Sequence, residues 1–224
     1  MTLALFDLDN TLLAGDSDYL WGRFMIEQGI VDGDEYEQRN QAFYDQYRGG
    51  RLDIHEFLAF QLQPLAAHPV EQLQRWRQAF LERMIEPIIL PSARELVARH
   101  RLNGDTLVII TATNRFVTEP IAARFGVDHL LATEVEMHAG RYTGRAAGTP
   151  CFRHGKVERL EQWLATANED LAGSWFYSDS HNDLPLLERV THPVAVDPDE
   201  TLRTEALARN WAVISLRTQQ RVEP

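Results

Sequence analysis

The chain has 224 residues, which is long enough to bury a full hydrophobic core and to carry a smaller inserted domain. Its 44% hydrophobic and 25% charged residues are typical of a globular protein that is soluble in water. No basic block offsets the net charge of -11, which argues against a nucleic acid or an anionic membrane surface as a partner. A small phosphorylated metabolite remains compatible, because a bound cation and one lysine can reverse the local potential.

Cysteine content and hydropathy indicate the compartment. The single cysteine, Cys151, makes an intrachain disulfide impossible, which favours a reducing environment. The N-terminus enters an apolar run at once and leaves no room for a signal peptide, and no apolar stretch reaches the length of a membrane span. We therefore expect a cytoplasmic protein.

The most informative motif follows the first apolar run, residues 3–6, which predicts a short buried strand. Asp7 and Asp9 come next and would point to the same side, because side chains alternate along a strand. Two neighbouring carboxylates repel each other and lose solvation unless a divalent cation binds them. One could then attack a phosphorus atom while the other transfers protons. The alternative is a polar turn in which Asp9, Asn10 and Thr11 cap the following element.

Four helices are expected after this motif, because apolar residues recur there at helical spacing. Asp16 or Ser17 can cap the first helix, and Asp53 and Glu56 have the spacing of a capping box at the third. No strand is evident before residue 88. The stretch therefore predicts an all-helical insertion of domain size.

Strands and helices alternate in the rest of the chain. Strands are predicted over 106–110, 130–133, 174–178, 194–196 and 212–214, and helices over 92–103, 115–125, 156–167, 182–189 and 201–208. Ser92 and Glu95 have the spacing of a second capping box, and residues 134–145 predict a hairpin. The alternation predicts an α/β fold, a Rossmann-like parallel sheet core with helices on both faces. Residues 1–14 and 88–224 would form this core, and residues 15–87 an all-helical cap inserted after the first strand.

Polar side chains follow three of the predicted strands, at the edge where open parallel sheets bind ligands. They are Asp7 to Thr11, Thr111 to Asn114 and Asp179 to Asp183, and Lys156 opens a helix just before the last of these strands. Each group has a simpler interpretation, namely a helix cap, an Asx-turn or a solvated lysine. Together they supply what phosphoryl transfer needs: metal ligands, a nucleophile, oxyanion donors and a cation.

These groups, in this order, resemble the four motifs of the haloacid dehalogenase-like phosphatases. The resemblance spans nearly the whole chain, and the helical insertion is similar to the cap of the subgroup that includes phosphoserine phosphatase. Within this family an aspartate at the position of Asp9 marks phosphatases, and dehalogenases lack it. The resemblance therefore implies a phosphomonoester phosphatase.

The resemblance also implies catalytic roles. Asp7 would be the nucleophile that forms an aspartyl-phosphate, and Asp9 the general acid and then the general base. Thr111 and the amide of Ala112 would hold the phosphate oxygens. Lys156 would neutralise charge between the phosphate and Asp7.

The metal that the resemblance implies is Mg²⁺, and an all-oxygen ligand set suits this ion better than zinc. Asp7, the backbone carbonyl of Asp9, and Asp179 would bind it, and Asp183 would order a metal-bound water. Supporting roles fall to Thr11 and Asn182.

Substrate identity depends on the cap. Asp16 resembles the acid that holds the substrate amine in phosphoserine phosphatases, although it could equally serve only as a helix cap. The family's arginine for the serine carboxylate has no counterpart in residues 57–62, and Arg48 and Arg51 lie on the preceding turn. Without this bidentate partner an amino-alcohol phosphate fits better than an amino-acid phosphate, and histidinol phosphate is one such compound.

Other activities stay open at this point. Phosphoserine phosphatase is the first alternative. A phosphotransferase would pass the phosphoryl group to an acceptor other than water, and a phosphate-binding module would have lost turnover. The presence of every predicted catalytic residue argues against the last of these.

Overall fold

A computed structural model describes residues 2–217 of the chain. Seven strands form one sheet in the order β4-β3-β2-β1-β5-β6-β7, and every neighbouring pair is parallel except β3 and β4. The strands are β1 (Leu3–Phe6), β2 (Thr106–Asn114), β3 (His129–His138), β4 (Arg141–Ala147), β5 (Trp175–Ser178), β6 (His192–Val196) and β7 (Ala212–Ile214). Residue 1 and residues 218–224 of the predicted core lie outside the described part.

Helices connect the strands on both sides of the sheet. They are α1 (Ser17–Glu27), α2 (Gly33–Arg48), α3 (Ile54–Gln61), α4 (Gln63–Ala67), α5 (Val70–Phe80), α6 (Pro91–Leu102), α7 (Arg115–Phe125), α8 (His154–Ala167), α9 (Leu184–Leu187) and α10 (Glu200–Ala208). A π-helical turn (Leu81–Ile85) and a 3₁₀ turn (Glu86–Ile88) follow α5, and a second 3₁₀ turn (His181–Asp183) precedes α9. No helix within residues 2–217 has the length and apolarity that a membrane crossing requires.

The central strand β1 is apolar on both faces, and alternation divides its side chains between two cores. Ala4 and Phe6 belong to the larger core, whereas Leu3 and Leu5 belong to a second core on the opposite face. Both faces are therefore covered by helices, which confirms the predicted α/β class.

The parallel register brings the ends of three strands to one edge. Phe6, the last residue of β1, pairs with Ile109 of β2 and with Tyr177 of β5. The polar residues that come after these paired positions in β1, β2 and β5 therefore lie next to each other. This edge of the sheet contains the predicted site residues.

Five helices, α1 to α5, lie between β1 and α6, where four were predicted, because the short helix α4 follows α3 directly. Asp16 caps α1 by accepting from the amides of Asp18 and Tyr19, and Asp53 caps α3. Leu13 and Ile89 form an antiparallel bridge, so the chain leaves and re-enters the core at one point. This bridge supports the division at residues 15–87, which remains a proposal.

Of two local predictions, the hairpin is confirmed and the second capping box is wrong. The hairpin over 134–145 is confirmed, because β3 and β4 pair around Ala139 and Gly140, which both have positive φ. The capping box at Ser92 is wrong: α6 begins at Pro91, whose ring suits the first helical position, and the Ser92 hydroxyl donates to the carbonyl of Leu216 instead.

Candidate active site

A buried lysine joins two of the acidic motifs. Nζ of Lys156, near the start of α8, lies 2.8 Å from Oδ1 of Asp7 and 2.8 Å from Oδ2 of Asp183. Burial opposes the charge of the ammonium group, but attraction to Asp183 and Asp7 prevails and raises the pKa of Lys156 above its ordinary value. Gly155 permits this close packing, because a Cβ there would lie 2.0 Å from the carbonyl oxygen of Pro150.

The carboxyl group of Asp7 is buried with more negative than positive charge around it. Burial raises its pKa well above the ordinary value, the ammonium of Lys156 opposes the shift, and the nearby carboxylates of Asp183 and Asp9 add to it. The backbone amide of Asp7 donates to the carbonyl of Tyr177 on β5. The strand pairing therefore fixes the position of a carboxylate that a cation would stabilise.

Thr11 connects the first and last motifs. Its hydroxyl donates to Oδ1 of Asp179 at 3.0 Å, lies 3.5 Å from Oδ2 of Asp7, and accepts from the amide of Asp179 at 3.1 Å. Burial, and then repulsion from Asp7 and Asp183, raises the pKa of Asp179 well above its ordinary value. Asp7 and Asp179 therefore face one small region from neighbouring strands.

Asp9 is held between two segments. Its Oδ1 accepts from the amide of Ser17 at 2.7 Å, and its Oδ2 accepts from the hydroxyl of Thr113 at 2.8 Å. Burial raises the pKa of Asp9, and the hydrogen bonds to Ser17 and Thr113 moderate the rise. A raised pKa favours the protonated carboxyl group that a general acid needs at the start of the reaction.

Thr111 and Ala112 lie beside Asp9 at the end of β2. The hydroxyl of Thr111 accepts from the amide of Thr113 at 3.2 Å, and the carbonyl of Ala112 accepts from Thr133 at 2.7 Å. These bonds orient the peptide groups in the last part of β2, and both residues line the same cavity as Asp7 and Lys156.

Asp183 and Asn182 have different surroundings. Asp183 accepts from Lys156 and, at 2.7 Å, from the hydroxyl of Ser178. The side chain of Asn182 donates to the carbonyl of Tyr47 at 3.2 Å and accepts from Nε of Arg153 at 2.9 Å. Asn182 therefore bridges to the helical segment, and its predicted support of a metal-bound water stays a prediction.

Residues 15–87 cover this edge of the sheet. The cavity wall that they supply contains aromatic side chains and two acids, Asp16 and Asp18. Oδ1 of Asp16 makes both cap hydrogen bonds, and burial raises the pKa of Asp16 well above its ordinary value. Asp16 thus caps α1 and also faces the cavity, so the two interpretations of this residue are compatible.

A contact between the helical segment and the core closes one side of the cavity. The guanidinium of Arg153 donates to the carbonyl of Gly50, and a Cβ on Gly50 would lie 2.7 Å from Nε2 of His181. Nδ1 of His181 is itself held by Asp199 at 2.8 Å. Arg153 adopts a positive φ of 51° to reach this position, which is uncommon for an arginine.

Sequence reasoning assigned no individual role to Thr113, Asp18 or Arg153. Thr113 could have been found, because it lies two residues after Thr111 on one strand and shares its face. The position of Asp18 depends on how α1 is rotated against the sheet. The contact of Arg153 depends on an unusual backbone conformation, and neither feature has a local sequence signal.

Comparisons with known proteins agree with this geometry. The family model for haloacid dehalogenase-like hydrolases matches residues 4–188. The chain belongs to the haloacid dehalogenase-like hydrolase family. It is 44% identical over 219 residues to a protein named histidinol-phosphatase from Neisseria meningitidis, covering 96% of this chain and 99% of the relative. It is 30% identical to a phosphoserine phosphatase of Mycobacterium tuberculosis, covering 96% of this chain and 70% of that one.

Solved structures agree on the fold. A crystal structure of a protein from Bordetella pertussis Tohama I superposes with a TM-score of 0.91 at 47% identity, covering 96% of this chain and 100% of the other. A substrate-bound phosphoserine phosphatase superposes with a TM-score of 0.72 at 16% identity, covering 98% and 95%. These relatives confirm the predicted family and the prediction that the chain is a phosphatase. Phosphatases of this family generally use Mg²⁺.

Proposed function

We propose that this protein is a Mg²⁺-dependent phosphatase that hydrolyses histidinol phosphate, or a closely related amino-alcohol phosphate, through an aspartyl-phosphate on Asp7. The observation that carries the proposal is the buried contact of Lys156 with Asp7, next to an Asp9 that is fixed by two hydrogen bonds. The identity of 44% to a histidinol-phosphatase over almost its entire length supports the choice of substrate.

The proposed chemistry proceeds in two displacements at phosphorus. A carboxylate oxygen of Asp7 attacks, the bond to the substrate oxygen breaks, and Asp9 donates a proton to the leaving alcohol. Asp9 then removes a proton from water, which attacks the phosphorus and releases inorganic phosphate and free Asp7. Thr111, the amide of Ala112 and Lys156 would bind the phosphoryl oxygens, on which negative charge is concentrated.

The donor set at this edge fits Mg²⁺. Asp7 and Asp183 are buried with a single ammonium group, the half-buried Asp179 lies beside them, and desolvation and mutual repulsion raise the pKa of Asp7 and of Asp179. Within residues 2–217 no three His, Cys, Asp or Glu side chains are grouped to enclose an ion. Mg²⁺ normally keeps several waters, so Asp7, Asp179 and the carbonyl of Asp9 would hold it, with Asp183 next to a bound water. When bound, the ion would neutralise charge on the phosphate.

The cap supports an amino-alcohol substrate. Asp16 offers a carboxylate oxygen in the cavity that would bind the substrate's primary ammonium group. In α3, where the resemblance places an arginine, the buried amide of Gln61 instead contacts Asp18 and Tyr36. An amide that is already committed to these partners would hold a substrate carboxylate poorly, so phosphoserine should be the weaker substrate.

Residues 15–87 would act as a lid over the reaction. The contacts of Tyr47 and Gly50 with Asn182 and Arg153 join this segment to the core beside the cavity. A closed lid excludes water and completes the substrate site, and it must open for product release.

A substrate panel tests the proposal. Phosphate release would be measured with histidinol phosphate, phosphoserine, a nucleotide and a sugar phosphate, with Mg²⁺ and after its removal by a chelator. We expect the highest kcat/KM for histidinol phosphate and no turnover without the metal. A preference for phosphoserine would reverse the substrate assignment. Added alcohols that become phosphorylated during turnover would identify a phosphotransferase instead.

A further inference from the structure

A second carboxylate, Asp18, lies in the cavity two residues beyond Asp16. Its side chain is almost fully buried, with 6% of the residue surface exposed, and it lines the cavity wall. Oδ1 accepts from Nε2 of Gln61 at 2.8 Å and from Nδ2 of Asn114 at 3.5 Å, whereas Oδ2 makes no hydrogen bond within the described part of the chain. A carboxylate oxygen of a nearly buried, cavity-lining residue that makes no hydrogen bond to the protein is available to a donor on a ligand.

The orientation of this carboxylate is fixed from the cap. Nε2 of Gln61 also donates to the backbone carbonyl of Asp18 at 2.8 Å, and Oε1 of Gln61 accepts from the hydroxyl of Tyr36 at 3.0 Å. Gln61 is 1% exposed, so this chain of hydrogen bonds is screened from water. Burial raises the pKa of Asp18 to about 7, the bond to Gln61 opposes the shift, and a donor on a ligand would favour the ionised form further.

The walls around Asp18 suit a flat ring. Phe43 and Phe57 meet edge to face with ring centres 5.5 Å apart, and Tyr19 and Tyr44 lie tilted at 5.1 Å. All four line the same cavity as Asp18. Aromatic walls of this kind pack against a planar group, and the single free oxygen of Asp18 adds one directional contact.

From these contacts we propose that Asp18 accepts a hydrogen bond from a ring N–H of a nitrogen heterocycle on the substrate. The inference rests on the proposed function and adds a determinant of specificity to it. Asp16 would bind the primary ammonium group, and Asp18 would select substrates whose ring carries an N–H. Such a site rejects an analogue without the N–H, because the carboxylate oxygen would then stay buried without a donor.

The test compares two substrates that differ only in the ring. Histidinol phosphate carries an imidazole, and phenylalaninol phosphate carries a phenyl ring without a donor. We expect the wild-type enzyme to favour histidinol phosphate, and Asp18→Asn to lower the ratio of the two kcat/KM values about 10- to 100-fold, the effect of one hydrogen bond to a charged group. Asp34→Asn, the same change at an exposed position of α2, serves as the matched control and should leave the ratio unchanged.

Gln61→Leu gives a second variant in which the carboxylate remains and its anchor is lost. It should lower the same ratio by a smaller factor, and it replaces Asp18→Asn if that variant does not fold. An unchanged ratio of the kcat/KM values in the variants, or an equal loss with both substrates, would overturn the proposed role of Asp18. The proposed function would not be affected by this result. A wild-type enzyme that fails to hydrolyse histidinol phosphate would overturn the proposed function, and this inference with it.

Discussion

The ammonium group of Lys156 lies 2.8 Å from Oδ1 of Asp7, although the two residues are 149 positions apart in the chain. Lys156 is the only lysine in the sequence, in which the other 21 of the 22 Lys and Arg residues are arginines. A lysine ammonium is compact and can reach a buried carboxylate where the larger, planar arginine group would need more space. The pair links the end of β1 to the start of α8.

Replacing this lysine should affect both stability and activity. Lys156→Met leaves the buried carboxylates of Asp7 and Asp183 without their cation, and breaking such a pair costs about 3–5 kcal/mol. Loss of the charge at the phosphoryl site should lower kcat about 100- to 1,000-fold. Urea unfolding and phosphate release measure the two effects. A second change, Asp183→Asn, should restore part of the stability and none of the activity. Full activity in Lys156→Met would exclude the assigned role.

Thr113 should tune the proton transfers of Asp9. Thr113→Val removes the hydrogen bond to Oδ2 of Asp9, which favours the ionised carboxylate. The pKa of Asp9 should therefore rise, and the pH dependence of kcat should move to higher pH. Thr118→Val removes another buried hydroxyl, which donates only to the carbonyl of Asn114, and should leave the profile in place. The same profile in wild type and Thr113→Val would contradict the assignment.

Closure of the cap should depend on Gly50. In Gly50→Ala the new Cβ would lie 2.7 Å from Nε2 of His181, a ring that Asp199 holds in place. Overpacking of this kind costs about 1–3 kcal/mol, and we expect at least a tenfold loss in kcat/KM. Gly29→Ala is the matched control, because Gly29 has a similar φ of 63° and open space around its Cα. Equal losses in both variants would point to backbone strain and not to cap closure.

Asp18 should make stability depend on pH. Burial raises the pKa of Asp18 to about 7 in the folded state from its ordinary value of 3.8, so between these two pH values the folded state binds a proton that the unfolded state has lost. Stability from this group is therefore full below pH 3.8 and falls as pH rises towards 7. Asp18→Asn removes the fall, and at pH 8 it should be more stable than wild type by a few kcal/mol, since one pKa unit is about 1.4 kcal/mol.

Urea unfolding without Mg²⁺ at pH 4 and pH 8 measures this difference, with Asp34→Asn as the control for a lost surface charge. At pH 4 wild type and Asp18→Asn should have nearly equal stability, because Asp18 is then neutral in the folded state. A variant that is less stable than wild type at pH 8 would show that the carboxylate is ionised and well paired.

The position of the site could be predicted from the sequence because it depends only on the order and direction of the strands. Asp7 and Asp179 each follow a buried strand, whereas Thr111 lies inside β2, which extends to Asn114 and not only to the predicted residue 110. Parallel neighbours still bring these residues to one edge, so their proximity did not depend on side-chain detail. Lys156 was predicted through its motif, and the structure places its Nζ against Asp7.

Features that depend on the relative placement of whole elements could not be predicted. The contact of Gln61 with Asp18 joins residues 43 positions apart on two helices, and its formation depends on how α1 and α3 are rotated. At Ser92 a local pattern predicted a feature that the structure does not have. The spacing of Ser92 to Glu95 suggested a cap, but Pro91 starts the helix one residue earlier. Local patterns indicate which face of an element is apolar, and they leave the packing of one element on another undetermined.

The most direct test of the account is to trap the phosphorylated residue. Wild-type protein with Mg²⁺ and histidinol phosphate would be quenched in acid during turnover and treated with borohydride, which reduces an aspartyl-phosphate to homoserine. Peptide mass spectrometry then locates the reduced residue. The account predicts homoserine in place of Asp7, and none in the Asp7→Asn variant, which should release no phosphate. Homoserine at another aspartate, or an intact Asp7 in enzyme that is turning over, would contradict it.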